Sequence, residues 1–291
     1  MIANGGLIGD ILFFAVSGYC LYQVKLPFAR WYGRRLVRCY LPVVVMTAIY
    51  MLVGCYSTQE HGWLWWFVYP TAYHFVASIV VLYIPYYWIM HFRMTRSRLP
   101  VVMVLVAAIY LMVYLTVYDT NYYHIDNVRE PMIRFLFMES MLLGAWFRQN
   151  DEKFRGSKQK KHIIDTSLLL LTFVLYFASK LLFARIPGLS CFQIVNQLLI
   201  FALLWMFLRW AAALDYKFEK CPAWLKAVIE FIAARTLEIY VVQYVLIDLV
   251  RPLLGFPLNW FALTGAILAA AALLHWICEK ILRLLTANNH S

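Results

Sequence analysis

Three arginines, Arg34, Arg35 and Arg38, stand close together in the run FARWYGRRLVRCYLP. On a helix, residues three apart leave from one face, so Arg35 and Arg38 project together with Arg34 beside them. Guanidinium forks grip phosphate oxygens in bidentate fashion, which suits a soluble polyphosphate ligand. The same spacing also suits a helix anchored at lipid headgroups. A second set consists of ionisable residues in apolar sequence: Asp10, Glu139, Glu238 and Asp248, with His74 and His275 as neutral members. A charge inside hydrocarbon costs at least about 2.5 to 3.5 kcal/mol, which makes each of the four acids a site candidate. Each also has a plainer reading. Asp10 lies near an outer helix end where water reaches it, and Asp248 stands beside Arg251. Glu139 and Glu238 have Arg134 and Arg235 about one turn away, and single histidines on apolar faces are more often hydrogen-bonded core residues than bases.

The elements that must position these groups follow from composition. Hydrophobic residues make up 64% of the 291 and charged residues 14%, and mean hydropathy is +0.68, far from the balance of a soluble domain. The pattern is that of an all-α, polytopic integral membrane bundle. At roughly 20 apolar residues per crossing, about nine transmembrane helices are expected, near residues 7–24, 36–56, 65–90, 99–118, 132–148, 163–184, 190–209, 236–254 and 259–285. Helices rather than strands are expected because hydrocarbon offers no water to unpaired backbone groups and no barrel-like alternation is present. The first apolar stretch lacks a basic segment before it and carries its charges after it, unlike a cleaved signal peptide. No connecting stretch reaches domain size, so residues 1–291 form a single membrane domain.

Lys and Arg sort into alternate loops. Lys25, Arg30, Arg34, Arg35 and Arg38 follow the first span, Arg93, Arg96 and Arg98 the third, and Arg148, Lys153, Arg155, Lys158, Lys160 and Lys161 the fifth. Further groups follow the seventh and ninth, so most of the 26 basic residues lie on one side. The positive-inside rule makes that side cytoplasmic, with the N-terminus outside and the C-terminus cytoplasmic. The opposite loops hold Glu60, Asp119, Asp126 and Glu130, and Trp63, Trp65, Trp66 and Tyr69 sit where an aromatic belt belongs. This sorting accounts for most of the +11 net charge without nucleic acid, and FRGSKQKKH reads as a topology signal. The six cysteines are scattered without a CxxC pair, so neither a disulfide framework nor a metal site is indicated and they read as buried free thiols.

LFFAVSGYCL followed by FARWYGRRLVRCYLP resembles the acyltransferase type 3 family, polytopic bacterial enzymes that O-acylate surface and secreted glycans. In that family an FFxxSGxxL-like stretch precedes an RxxR motif and a Tyr-Pro or Leu-Pro step. Phe13, Phe14, Ser17, Gly18 and Tyr19 fill the stretch, and Arg35 and Arg38 take the RxxR positions. In family order, IPYYWIMHF resembles the aromatic span, SMLLGAWF the Leu-Leu-Gly helix, and TLEIYVVQYVLI the late SxxIYLxH helix.

The resemblance implies a membrane-embedded O-acyltransferase of the bacterial inner membrane. Its donor would be acyl-CoA, acetyl-CoA above all, made in the cytoplasm, and its acceptor a hydroxyl of a surface glycan such as an exopolysaccharide or a lipid-linked saccharide of the cell envelope. Arg34, Arg35 and Arg38 would hold the CoA phosphates, a base would take the acceptor proton, and hydrogen-bond donors would steady the oxyanion. The family assigns the base to a histidine in a first helix that this chain lacks; that helix is expected to lie upstream of Met1 or to have been lost. Gln243 stands where many relatives carry His, and Gln is no base near neutral pH. Asp10 and Glu238 are the expected polar members of the catalytic site; His74, in the outer third of its span, is matched by no motif. A transporter or flippase for an anionic or lipid-linked substrate is the competing class, and an inactive truncated remnant is the third. A transporter would leave its substrate chemically unchanged, although the paired, broken helices of many transporters are not seen.

Overall fold

A computed structural model describes residues 6–59, 61–155, 161–250, 252–253 and 255–287. Glu60, Lys158, Lys160 and Arg251, all invoked above, lie outside the described residues. Helices account for nearly all the regular structure: α1 (Gly6–Cys20), α2 (Phe28–Leu52), α3 (Trp63–Phe67), α4 (His74–His91), α5 (Arg93–Ser97), α6 (Leu99–Thr116), α7 (Ile133–Gln149), α8 (Asp151–Arg155), α9 (Lys161–Arg185), α10 (Ile194–Glu219), α11 (Ala223–Ala234), α12 (Thr236–Val250) and α13 (Leu258–Ala287). No strand occurs among the described residues.

Helices stand at all nine expected positions. Six of them, α2, α4, α6, α9, α10 and α13, contain segments long and apolar enough to cross a membrane by themselves. Helices α1, α7 and α12 are shorter, at 15, 17 and 15 residues. Most of α7 is buried in protein, so its length need not match the lipid. By contrast α6 and α9 leave rows such as Val101, Val104, Leu105, Leu170, Leu171 and Val174 exposed. Apolar surface on that scale belongs against lipid, and the protein is a multi-pass membrane protein.

The span expected at 65–90 is split: α3 ends at Phe67 and the helix resumes only at His74. Pro70, after a cis peptide bond, and Thr71, at φ 66°, interrupt it. Proline cannot donate to a helical ladder and a non-glycine residue at positive φ leaves the right-handed helix. The Thr71 hydroxyl accepts the Tyr73 amide at 3.1 Å, which holds the break in place.

The chain divides into two compact units. The first comprises residues 1–28 and 81–220, the second residues 29–80 and 221–291. In the first, α1 and α7 run parallel, as two odd-numbered spans of an alternating series must. Phe14 stacks on Phe137 at 4.3 Å, Ala15 and Gly18 meet Gly144 and Met141, and Tyr19 meets Arg148. Pairs thus advance along both helices together. The backbones touch at Gly18 and Gly144, where a Cβ would collide with the carbonyl oxygens of Met141 and Ala15. Small residues that admit such an approach are the usual means of joining helices in lipid, where no hydrophobic drive between helices exists.

Helices α9 and α10 form an antiparallel hairpin closed by a 3₁₀ turn, Pro187–Phe192. Arg209 bonds Asp165 at 2.8 Å and Trp210 bonds Thr166 at 3.2 Å toward one end. Toward the other, the Asn196 amide donates to Tyr176 O and Ser179 Oγ at 3.0 and 2.9 Å. The loop between α6 and α7 is tied down by Gln193, whose Oε1 accepts the amides of His124 and Ile125, both at 3.0 Å. In the second unit α12 and α13 are antiparallel neighbours, and Tyr50 of α2 donates to Val242 O at 2.9 Å. Only Cys39 and Cys278 are buried; Cys20, Cys55 and Cys191 are exposed and Cys221 is half-buried, so the expectation of uniformly buried thiols fails. All six are free, and the less buried ones lie where packing ends: Cys20 closes α1, and Cys55, Cys191 and Cys221 fall between α-helices.

Candidate functional site

Helix α2 starts at Phe28, earlier than the span expected from residue 36. Arg34, Arg35 and Arg38 therefore share one helix, with Arg34 and Arg38 four apart and Arg35 and Arg38 three apart. Arg34 and Arg38 are exposed and Arg35 is half-buried. Among the described residues none of the three enters an ion pair or a side-chain hydrogen bond. Like charges at this spacing cost a helix about 0.2 to 0.5 kcal/mol per pair. The three uncompensated guanidiniums sit in the second and third turns of α2 and concentrate positive charge there.

The same unit contains a second polar group. Glu238, near the start of α12, is 8% exposed, and its Oε1 lies 2.8 Å from Nδ1 of His275 on α13. Glu279 Oε1 stands 3.6 Å from the ring's Nε2 and is itself paired with Arg283 at 3.1 Å. The partner of Glu238 is thus His275 rather than Arg235, which turns back onto Phe231, its guanidinium 4.0 Å from that ring. The Arg235 guanidinium donates to Phe231 O at 3.0 Å, whereas the facing helix brings imidazole to hydrogen-bond distance of the carboxylate.

Asp10 is in the first unit, half-buried on α1, with no ion pair among the described residues. The two acids expected to share a site, Asp10 and Glu238, thus belong to different units. Glu139 is buried on α7, its Oε1 without a hydrogen-bond partner, and among the described residues no ion pair links it to Arg134. Asp248 is exposed, and Gln243 and His74 are half-buried.

The residues of the FFxxSGY stretch serve packing. Ser17 Oγ lies 3.1 Å from Tyr83 OH, Tyr86 OH donates to Gly18 O at 2.8 Å, and Arg148 caps Tyr19 at 3.0 Å. Three motif stretches that are separate in sequence, SGY, PYYW and LLG, therefore meet around Gly18. Two charged pairs escaped the sequence reading. Lys180 pairs with Asp126 in the interior of the first unit, their side chains 6% and 8% exposed, and Asp165, 5% exposed, pairs with Arg209. Tyr123 supports the former region by donating to Asn196 Oδ1 at 3.0 Å; burial, and then the charge of Asp126, holds its phenol above the ordinary range. The signal for Lys180 was its position in the apolar run YFASKLLF, where a cation demands a partner.

The described residues thus form a helical membrane bundle that carries an uncompensated arginine cluster and a buried carboxylate–imidazole pair. Residues 3–279 match the family model described as an acyltransferase domain, and the chain belongs to the acyltransferase type 3 family. It is accordingly a membrane acyltransferase, transferring groups other than aminoacyl groups. Neither the search of curated proteins nor that of solved structures found a match.

Proposed function

We propose that the protein O-acylates an envelope glycan, taking an acyl group, chiefly acetyl, from cytoplasmic acyl-CoA. The observation that carries this reading is the trio Arg34, Arg35 and Arg38, uncompensated at the N-terminal part of α2. Phosphates of CoA supply the anions that such a cluster lacks, and bidentate guanidinium contacts fix the donor's orientation. CoA is too anionic to enter hydrocarbon, so it stays at the mouth while its thioester arm reaches inward. The alternation of basic loops supports a mouth on the cytoplasmic face of the inner membrane, with the N-terminus outside and the C-terminus cytoplasmic. The acceptor is a hydroxyl of a surface or secreted saccharide, free or lipid-linked. The polar residues of the second unit handle the proton, with Glu238 among them.

The test uses inside-out vesicles of the host membrane, which carry its own glycans, with labelled acetyl-CoA outside. Wild-type protein should release CoA thiol and leave label in glycan that mild base removes. Arg35→Ala and Arg38→Ala should each raise the KM for acetyl-CoA about tenfold or more, as loss of a charge-assisted contact of about 1.5 to 3 kcal/mol requires, with little change in the rate at saturation. Label that enters vesicles as intact, unmodified substrate would instead mark a transporter.

A further inference from the structure

We infer that His275 is the group that takes the acceptor proton, and that Glu238 positions it; the inference rests on the acyl-transfer reading above. Four observations carry it. Glu238 is almost fully buried, and its carboxylate is spent on one partner, Nδ1 of His275, at 2.8 Å. With Nδ1–H donating to that carboxylate, Nε2 keeps its lone pair, which is the arrangement a general base needs. The ring stays about one-quarter exposed, so the atom that must meet a substrate is not sealed off. Finally, Glu279 lies 3.6 Å beyond Nε2, too far for a direct hydrogen bond yet close enough to stabilise positive charge. The imidazolium formed by proton capture therefore lies between two carboxylates.

Other ionisable groups stand nearby on α13. The thiol of Cys278 lies near Glu238, Arg283 is occupied with Glu279, and Lys280 rests 4.0 Å over the Trp276 ring. His275 precedes Lys280 and Arg283 by one to two turns, so by the alternation of basic loops it belongs to the donor side of its span. The reaction balances without a further reagent. Nε2 accepts the hydroxyl proton while the oxygen attacks the thioester carbonyl. The tetrahedral intermediate then collapses with cleavage of the C–S bond, and the imidazolium returns its proton to the departing thiolate. The products are the O-acyl ester and CoA thiol, and His275 is regenerated.

The experiment is the vesicle assay run across pH with His275→Gln, Glu238→Gln and Glu279→Gln, each first checked for a monodisperse, folded protein. General-base removal is worth about 100-fold to 10,000-fold, so His275→Gln should lower the saturated rate at least 100-fold, leave the KM for acetyl-CoA unchanged, and abolish the acid limb of the pH–rate profile. Glu238→Gln keeps a hydrogen-bond acceptor but removes a negative charge that favours imidazolium. Its acid limb should move to lower pH and its rate should fall, with a smaller move in the same direction for Glu279→Gln. A purely structural clasp would change stability and leave the limb where it is. If His275→Gln does not fold, the limb positions of the two glutamine variants decide alone. Turnover by wild type together with unshifted limbs in both, or a folded His275→Gln that retains its rate, overturns the role of His275 alone. A wild type that releases no CoA overturns the acyl-transfer reading and this inference with it.

Discussion

Gly18→Ala should split the seam between α1 and α7. A Cβ at Gly18 would fall far inside 3.0 Å of the Met141 carbonyl oxygen, closer than a real Cβ comes to such an atom. The obstacle is backbone, so no rotamer change relieves it and the helices must part. Overpacking of a tight core costs about 1 to 3 kcal/mol. Parting also draws Gly18 O away from Tyr86 OH, now at 2.8 Å, which adds about 0.5 to 1.5 kcal/mol. The sum is about 1.5 to 4.5 kcal/mol. Gly9→Ala on the same helix is the internal control, because nothing lies within 4 Å of its added Cβ. There the gain in helix propensity, about 0.5 to 1 kcal/mol, should stabilise slightly. Thermal unfolding in detergent micelles, followed by tryptophan fluorescence and size-exclusion recovery, should place the two variants on opposite sides of wild type. Met141→Ala should fail to rescue Gly18→Ala, since it leaves the offending oxygen in place. Equal midpoints for Gly9→Ala and Gly18→Ala, or rescue by Met141→Ala, would refute the account.

Other outcomes follow from the paired charges. Lys180→Met strands a buried carboxylate at Asp126 and should destabilise by about 3 to 5 kcal/mol, whereas adding Asp126→Leu should restore most of that loss, because a buried pair is expensive mainly when half of it is removed; thermal midpoints of the single and double variants check this. Arg209→Ala exposes Asp165 to the same problem in milder form, since the arginine is one-third exposed, and about 1 to 3 kcal/mol is expected in the same assay. Gln193→Leu removes the acceptor of two loop amides, so hydrogen exchange at His124 and Ile125 should quicken while exchange in α10 changes little.

The helical, membrane-spanning character of the chain was legible because it rests on local quantities. Twenty apolar residues must cross as a helix wherever they fall, and the density of apolar residues is visible without any partner. Arg34, Arg35 and Arg38 were equally legible, since their relation is set by the helical repeat within a single helix. The helix break at residues 68–73 was less so: Pro70 marked it, but the positive φ at Thr71 is held by a short local hydrogen bond that composition does not announce.

What depends on two helices meeting could not be read. Glu238 was paired in sequence with the nearby Arg235, and the fold gives it His275, which comes from a different helix. Asp10 and Glu238 looked alike as acids in apolar runs, yet they belong to different units. Gly18 and Gly144 each resembled part of a motif, and only the crossing of α1 with α7 shows that both are needed so that two backbones can touch. Residue type and spacing thus determine which segments enter the membrane and what each face can bind. Which charges neutralise each other, and whether a histidine is aligned to move a proton, depend on distances of about 3 Å between side chains far apart in the chain, and packing alone sets those.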